Sequence, residues 1–107
     1  MMKVPELVSR YKAGQRDFRN LNLIAANLRN LNFAGANFSG SNFTGANLTG
    51  TNLSCANLTG ANLTKAKFSE TNLTRSNLSN SDLSGVDLSR ANLRQAYLTG
   101  ANMPQPI

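Results

Sequence analysis

Large apolar residues recur at every fifth position over most of this chain. From Phe18 to Met103 each fifth residue is Leu, Phe or Met, eighteen times without interruption. The residue before it is Asn or Asp except at Lys67 and Tyr97, the residue two before it is mostly small, and the residue after it is mostly Ser or Thr. The predicted core positions are Phe18, Leu23, Leu28, Phe33, Phe38, Phe43, Leu48, Leu53, Leu58, Leu63, Phe68, Leu73, Leu78, Leu83, Leu88, Leu93, Leu98 and Met103.

A period of five fits neither an α-helix nor an ordinary strand. A 3.6-residue period would carry the apolar positions around a helix, and a period of two would alternate them between the faces of a sheet. Equivalent places on a coiled path, by contrast, let every large apolar residue point inward and every Asn or Gly occupy a turn. Because one such unit buries nothing alone, the pattern predicts a stacked solenoid with a thin continuous core.

The units Ala36–Gly40, Ala46–Gly50 and Ala61–Lys65 resemble the A(D/N)LXX motif of the pentapeptide repeat family, and the resemblance covers about 90 of the 107 residues. It implies an all-β fold, a right-handed quadrilateral β-helix in which four units make one coil, with about four and a half coils. In a twenty-residue coil Lys67 lies under Asp87 and Glu70 lies under Arg90, and both pairs are of opposite charge. A fifteen-residue coil would instead give one opposite pair, Lys67 with Asp82, and one like pair, Arg75 with Arg90, so the charges favour twenty.

Residues 1–15 lie outside the repeat and are predicted to form a short helical cap on the β-helix of residues 16–107. Pro5 suits a first helical position and Gly14 suits a helix stop. Val4, Leu7, Val8 and Tyr11 form the predicted apolar face of this helix. Leu21, Ile24 and Leu31 are larger than is usual at their positions and are expected to contact the cap. No second helix covers the C-terminal coil, so an end-to-end dimer through that coil and a monomer are both retained as alternatives.

The sequence offers little for catalysis. There is no His and one Cys, and the five acids are dispersed, so we predict no enzyme, no catalytic residue, no metal site and no cofactor. Cys55 lies two residues after a core position and is therefore predicted to point outward. A thiolate stabilised by Arg75 is the functional alternative to an ordinary exposed thiol, which we favour because no base is available.

The charge is unevenly distributed. Eleven Lys and Arg against five Asp and Glu give a formal charge of +6, and residues 30–64 carry no charge. Lys65, Arg75 and Arg94 in the C-terminal half are candidate contacts for a polyanion, either nucleic acid or an anionic membrane surface. The alternative is a solvated face that keeps a repeat protein soluble.

These features favour a non-enzymatic scaffold that binds another protein through its flat faces, with basic polyanion binding as the second candidate. Some members of the family that the chain resembles act on type II topoisomerases by imitating DNA. That mechanism needs a negative surface, and the positive charge of this chain argues against it. The chain shows no apolar run long enough to span a membrane. The absence of a signal peptide and the unpaired Cys55 favour the cytoplasm.

Overall fold

The computed structural model describes residues 2–105; Met1, Pro106 and Ile107, at the outer limits of the two predicted segments, lie outside the described residues. One helix, α1 (Val4–Lys12), precedes an elongated stack of turns and bridges, and helix and stack together measure 41 × 24 × 22 Å. The β-structure consists of isolated parallel bridges instead of strands several residues long. A turn interrupts the backbone in every five-residue unit, so too little extended chain remains between turns to form longer strands.

Parallel bridges join residues that are twenty apart in the sequence. The thirteen bridges start at Asp17↔Asn37 and end at Asp82↔Asn102. Twenty residues, or four units, therefore complete one coil, as the charge pairs predicted. Each coil rests on the one before it, and equivalent positions of successive coils lie one above another.

Within one unit every backbone N–H finds an acceptor. The first N–H of the unit closes the preceding turn, the second bonds to the coil before, the third and fifth bond to the coil after, and the fourth bonds to the unit's own Asn. In the unit Ala46–Gly50 the first N–H donates to the carbonyl oxygen of Phe43 (2.8 Å) and the second to that of Ala26 (2.9 Å). The third donates to the carbonyl oxygen of Lys67 (2.9 Å), the fourth to Asn47 Oδ1 (3.1 Å) and the fifth to the carbonyl oxygen of Ser69 (2.9 Å). Because unpaired buried N–H groups are costly, this complete pairing explains why so short a unit can be repeated.

The core is a column of the large apolar side chains. From Phe18 to Leu83 these residues are at most 2% exposed. Four phenylalanines pack ring against ring around Phe38, with ring centroids 5.3 to 5.5 Å apart. The sequence placed the last four repeat positions in the same core, but Leu88, Leu93 and Leu98 are only half-buried and Met103 is 38% exposed. Burial in a solenoid comes from the neighbouring coils, and these residues lie in the last coil that the structure describes.

Small residues two before each core position line the same interior, and hydroxyls there are bonded to the backbone. Thr51 Oγ1 donates to the carbonyl oxygen of Leu28, and Thr71 Oγ1 donates to that of Leu48, each at 2.6 Å. Ser76 is equally buried, yet its Oγ has no hydrogen-bond partner among the described residues. The interior therefore holds hydroxyls both with and without a hydrogen-bond partner in the described part of the chain.

Helix α1 packs against the first coil. Leu7 is fully buried, and Tyr11 donates its hydroxyl to the carbonyl oxygen of Ala34 at 2.6 Å while its ring meets the edge of Phe33 at 5.5 Å. Leu21 and Leu31 are half-buried and pack against the core, but Ile24, which was expected to contact the cap, is 41% exposed. Ile24 follows its core residue and therefore lies on the outer surface of the coil, where no part of α1 covers it.

Candidate interaction surface

The outer faces are covered by asparagines that are fixed to their own backbone. In fifteen units the Asn or Asp side chain accepts a hydrogen bond through Oδ1 from the N–H two residues later. At several positions the hydroxyl of the residue two later donates to the same atom, as Thr44 Oγ1 does to Asn42 Oδ1 at 2.5 Å. These bonds hold the exposed amides in one orientation. The faces are thus rigid and polar over the uncharged stretch of residues 30–64.

The turns between faces place one residue per unit at positive φ from Asn20 to Gly100, except at Arg90, and glycine adopts this conformation most readily. All three asparagines at these turns, Asn20, Asn30 and Asn80, are followed twenty residues later by glycine. A Cβ built on Gly50 would collide with Asn30 Oδ1, and Gly40 and Gly100 stand in the same relation to Asn20 and Asn80. At these turns the Asn side chain fills the space that the glycine above it leaves free.

The three predicted polyanion contacts do not all lie together. Arg75 and Arg94 are neighbours on adjacent coils, because the Arg75 N–H donates to the Arg94 carbonyl oxygen at 2.9 Å. Lys65 lies at a turn two units before Arg75, on a different edge of the coil. The side chain of Arg75 is held by Gln95, whose Oε1 accepts a hydrogen bond from Nε at 2.8 Å. Two of the three residues thus share one edge.

Tyr97 belongs to the same edge, although the sequence analysis did not select it as a site residue. Its side chain is 63% exposed, and it lines an open depression of about 610 Å³ together with Arg75, Gln95 and Ala96. The signal in the sequence was its departure from Asn or Asp at this position of the repeat. The spacing alone did not show that Tyr97 lines the same depression as Arg75, which lies more than twenty residues earlier in the sequence.

The hydrogen-bond ladder is broken on one face of the C-terminal half. At most turns the turn residue donates to the carbonyl nineteen residues later, but Glu70 donates to the carbonyl oxygen of Arg90, Lys65 makes no such bond, and residues 67 and 87 form no bridge in the described chain. Val86 stands above three alanines at the small interior position and is larger than they are. An opening of about 230 Å³ lies between the two coils beside Lys67 and Asp87.

Ion pairs are few and exposed. Arg90 Nη2 lies 2.5 Å from Glu70 Oε1, the stacked pair that the twenty-residue coil predicted. Within residues 2–105 the other two ion pairs join Arg10 to Glu6 and Arg19 to Asp17, so the predicted stacking of Lys67 and Asp87 forms none. The break in the ladder beside Val86 explains why those two side chains do not meet.

Hydrogen bonds keep the exposed aspartates ionised. The hydroxyl and then the backbone N–H of Ser84 lower the pKa of Asp82, and Ser89 does the same for the pKa of Asp87. The guanidinium of Arg19 is the main cause of the lowered pKa of Asp17. All three carboxylates take the place of the repeat's asparagine and, like it, accept a hydrogen bond from the N–H two residues later.

Cys55 is exposed, at a turn with a φ of 58° below Arg75. Across residues 2–105 no group of three or more Cys, Asp or Glu side chains is placed to hold a metal ion. No helix in that part of the chain is both long and apolar enough to cross a membrane.

The geometry defines a class of protein: a repeat solenoid whose unit is five residues and whose coil is twenty. Comparison with protein families gives the pentapeptide repeats, with eight copies matched over residues 17–54, 41–80 and 76–105. The chain belongs to the pentapeptide repeat family.

Solved structures of the family are similar to this chain. HetL, a pentapeptide repeat protein involved in heterocyst differentiation regulation from the cyanobacterium Nostoc sp. strain PCC 7120, is 32% identical with a TM-score of 0.60, over 94% of this chain and 47% of HetL. A pentapeptide repeat protein of the Arabidopsis thaliana thylakoid lumen is 27% identical with a TM-score of 0.58, over 85% of this chain and 64% of that protein.

QnrB1, a plasmid-mediated fluoroquinolone resistance protein, is 22% identical with a TM-score of 0.52, over 83% of this chain and 56% of QnrB1, and shows the fold alone. This chain therefore spans less than two thirds of each of these three proteins. Comparison with curated protein sequences gives no match. The family and its β-helical fold are shown by these comparisons.

Proposed function

We propose that the protein is a non-enzymatic scaffold that docks another protein against its flat faces. The observation that carries the proposal is the uncharged surface of residues 30–64, whose asparagine side chains are already held by hydrogen bonds. Interfaces are depleted of charge at their centre, and side chains that are fixed before binding lose little entropy on binding. The shallow surface also lacks the convergent acid and base groups that catalysis requires.

Affinity capture from the native host tests this proposal when it is combined with surface variants. Thr44→Glu with Thr64→Glu places two charges on one face, and Ser39→Glu with Thr59→Glu places two charges on a neighbouring face. We expect one of these double variants to lose a partner that the wild type and the other variant retain. Retention of the same proteins by both variants would show that neither of these faces is used.

Basic polyanion binding is the second candidate, and the adjacent Arg75 and Arg94 favour it. Neither arginine has a carboxylate within ion-pair distance in the described chain, so both charges are available to a ligand. A gel shift with nucleic acid and a sedimentation assay with anionic vesicles, each at low and high salt, test it. DNA mimicry stays disfavoured, because the formal charge is +6.

The finer architecture belongs to the proposal as well. We propose a right-handed coil of quadrilateral cross-section with about four and a half coils in residues 16–107, and residues 1–15 as the cap. The twenty-residue bridging period and the contacts of Leu7 and Tyr11 with the first coil support this division. A crystal structure would test the handedness and the cross-section directly.

The assembly state and the compartment are further parts of the proposal. Half-buried Leu88 and Leu93 and exposed Met103 line an open groove of about 900 Å³ that would suit end-to-end dimerisation through the C-terminal coil, with a monomer as the alternative. Light scattering of the wild type and of Leu93→Asp separates these states.

The unpaired Cys55 supports the cytoplasm as the compartment, and fractionation of the host tests this location.

A further inference from the structure

Tyr97 does not make the structural hydrogen bond that Asn or Asp makes at this position of the repeat. Asparagine at this position would bond to the N–H of residue 99, whereas tyrosine cannot make this bond, and its ring is 63% exposed. The backbone is nevertheless regular, since the Tyr97 N–H donates to the carbonyl oxygen of Ser76 at 2.9 Å. The repeat thus loses a hydrogen bond and gains an exposed aromatic ring. Such a residue is best explained by something that contacts it.

The groups beside Tyr97 are those that recognise phosphate and base edges. Arg75 and Gln95 line the same open depression as Tyr97, together with Ala96. The bond from Arg75 Nε to Gln95 Oε1 fixes the guanidinium and leaves its two terminal nitrogens for a ligand. It also leaves the Gln95 amide nitrogen as a free hydrogen-bond donor.

Backbone strain accompanies these two side chains. Arg75 and Gln95 each have a φ of 59°, at turns where glycine occurs in many other units. The left-handed conformation costs a residue with a Cβ about 1 kcal/mol, and nine non-glycine residues at the turns adopt it, so it does not by itself distinguish this edge. Two strained polar residues are stacked on one edge, directly beside the exposed tyrosine.

We propose that Arg75, Arg94, Gln95 and Tyr97 form a binding site for single-stranded nucleic acid. An unpaired base stacks on the Tyr97 ring, the two arginines contact the phosphates on either side of it, and the Gln95 amide donates to a base carbonyl. Aromatic stacking combined with basic side chains is the usual way in which proteins hold single strands. A duplex offers no free base face to a lone ring on an edge, so the site selects unpaired strands.

This inference rests on the polyanion-binding candidate and sharpens it. The tests must therefore separate loss of this site from loss of all anion binding. A mixed-sequence single-stranded DNA of about ten nucleotides and the RNA of the same sequence serve as probes, with a hairpin duplex and anionic vesicles as comparators. Binding is followed by fluorescence anisotropy of the labelled strand at low and raised salt. Tyrosine emission is a second readout, because the chain has two Tyr and no Trp.

Three variants assign the contacts. Tyr97→Asn restores the repeat residue and its bond to residue 99, so it keeps the fold while removing the ring. Arg75→Gly combined with Arg94→Thr also introduces repeat-like residues, and it removes both charges. Lys67→Asn is the matched control, since it changes the other exception at the same repeat position, two units further round the coil.

We expect Tyr97→Asn to weaken single-strand binding about tenfold, equivalent to about 1.4 kcal/mol, to leave the salt dependence unchanged and to abolish the quenching of tyrosine emission. The double arginine variant should lower the slope of log affinity against log salt by about 1.4. Lys67→Asn should change the affinity by less than about threefold, as expected for one exposed charge.

Equal affinity of wild type and Tyr97→Asn, or equal binding of single strand and hairpin without quenching, would overturn the site and leave general polyanion binding standing. Binding of vesicles but not of oligonucleotides would likewise overturn it. Failure to bind any of these anions at low salt would overturn both the site and the polyanion candidate.

Discussion

Phe18 and Leu98 occupy the same repeat position on the same side of the coil, yet Phe18 is 1% exposed and Leu98 is half-buried. Near Phe18 the helix α1 lies over the first coil, where Leu7 is fully buried and Tyr11 bonds to Ala34. Leu98 has a coil on one side only within the described residues. The difference shows that the repeat specifies which residue points inward, whereas a neighbouring layer decides how much of it is buried.

The largest expected effect tests this difference in burial. Leu53→Ala in the interior should lower the free energy of unfolding by about 2–5 kcal/mol, because it leaves a cavity between two coils. Leu98→Ala should cost about 1 kcal/mol, since its side chain is already partly hydrated. Urea denaturation followed by circular dichroism measures both. Equal losses for the two variants would mean that the two regions do not differ as described.

Two buried hydroxyl groups, one with and one without a hydrogen-bond partner among the described residues, allow a second comparison inside the core. Thr71→Ala removes a bonded hydroxyl and leaves the Leu48 carbonyl with the Thr51 N–H as its remaining donor, so it should cost about 1 kcal/mol. Ser76→Ala removes a buried hydroxyl without a partner and should be neutral or slightly stabilising. The midpoints of thermal unfolding compare the two. A marked loss of stability in Ser76→Ala would show that its hydroxyl does have a partner in solution.

Two substitutions at the turns between faces are expected to change the stability in opposite directions. Gly50→Ala should destabilise by more than about 1 kcal/mol, because it adds a Cβ at positive φ and in the space that Asn30 Oδ1 occupies. Lys65→Gly should stabilise by about 0.5–1 kcal/mol, because it relieves a φ of 61°. Both are read from denaturation midpoints. A stable Gly50→Ala protein would contradict the packing of Asn30 against Gly50.

The smallest effect concerns acid pH. The lowered pKa values of Asp82 and Asp87 mean that their contribution to stability is present above the pKa of an unfolded aspartate, about 3.9, and is lost as the pH falls through the lower folded values. Asp82→Asn with Asp87→Asn should therefore flatten the fall in unfolding temperature below about pH 4. An unchanged acid profile in the double variant would remove these carboxylates from the account.

Much of the fold follows from spacing alone. A period of five identifies the inward residues, and the opposite charges of Glu70 and Arg90 indicate the coil length. Two features depend on backbone angles that the sequence pattern does not give. One is the hydrogen bond that each Asn accepts from the N–H two residues later, and the other is the packing of a turn Asn into the space left free by the glycine one coil above. The break in the ladder lies beside Val86, a larger residue that follows three alanines at one interior position, and the spacing of the repeat did not indicate an interruption there.

The candidate surface was less accessible to prediction. Arg75 and Arg94 could be selected as unpaired charges, but Lys65 was grouped with them although it lies on another edge. Tyr97 was visible as an exception to the repeat. Its partnership with Arg75 and Gln95 required knowledge of which positions of neighbouring coils stand side by side. Exceptions to a repeat are therefore most informative once they are placed on the coil.

The twenty-residue coil is the central claim, and the single native cysteine allows a direct test. Stacked coils lie about 4.8 Å apart, within the Cα separation that a disulfide spans. Arg75→Cys places a thiol one coil above Cys55, whereas Glu70→Cys places one fifteen residues away, at the adjacent edge. Mild oxidation, with the disulfide detected by mass spectrometry of proteolytic fragments, should link Cys55 intramolecularly in Arg75→Cys and leave both thiols free in Glu70→Cys. A disulfide formed in Glu70→Cys and absent in Arg75→Cys would contradict the account.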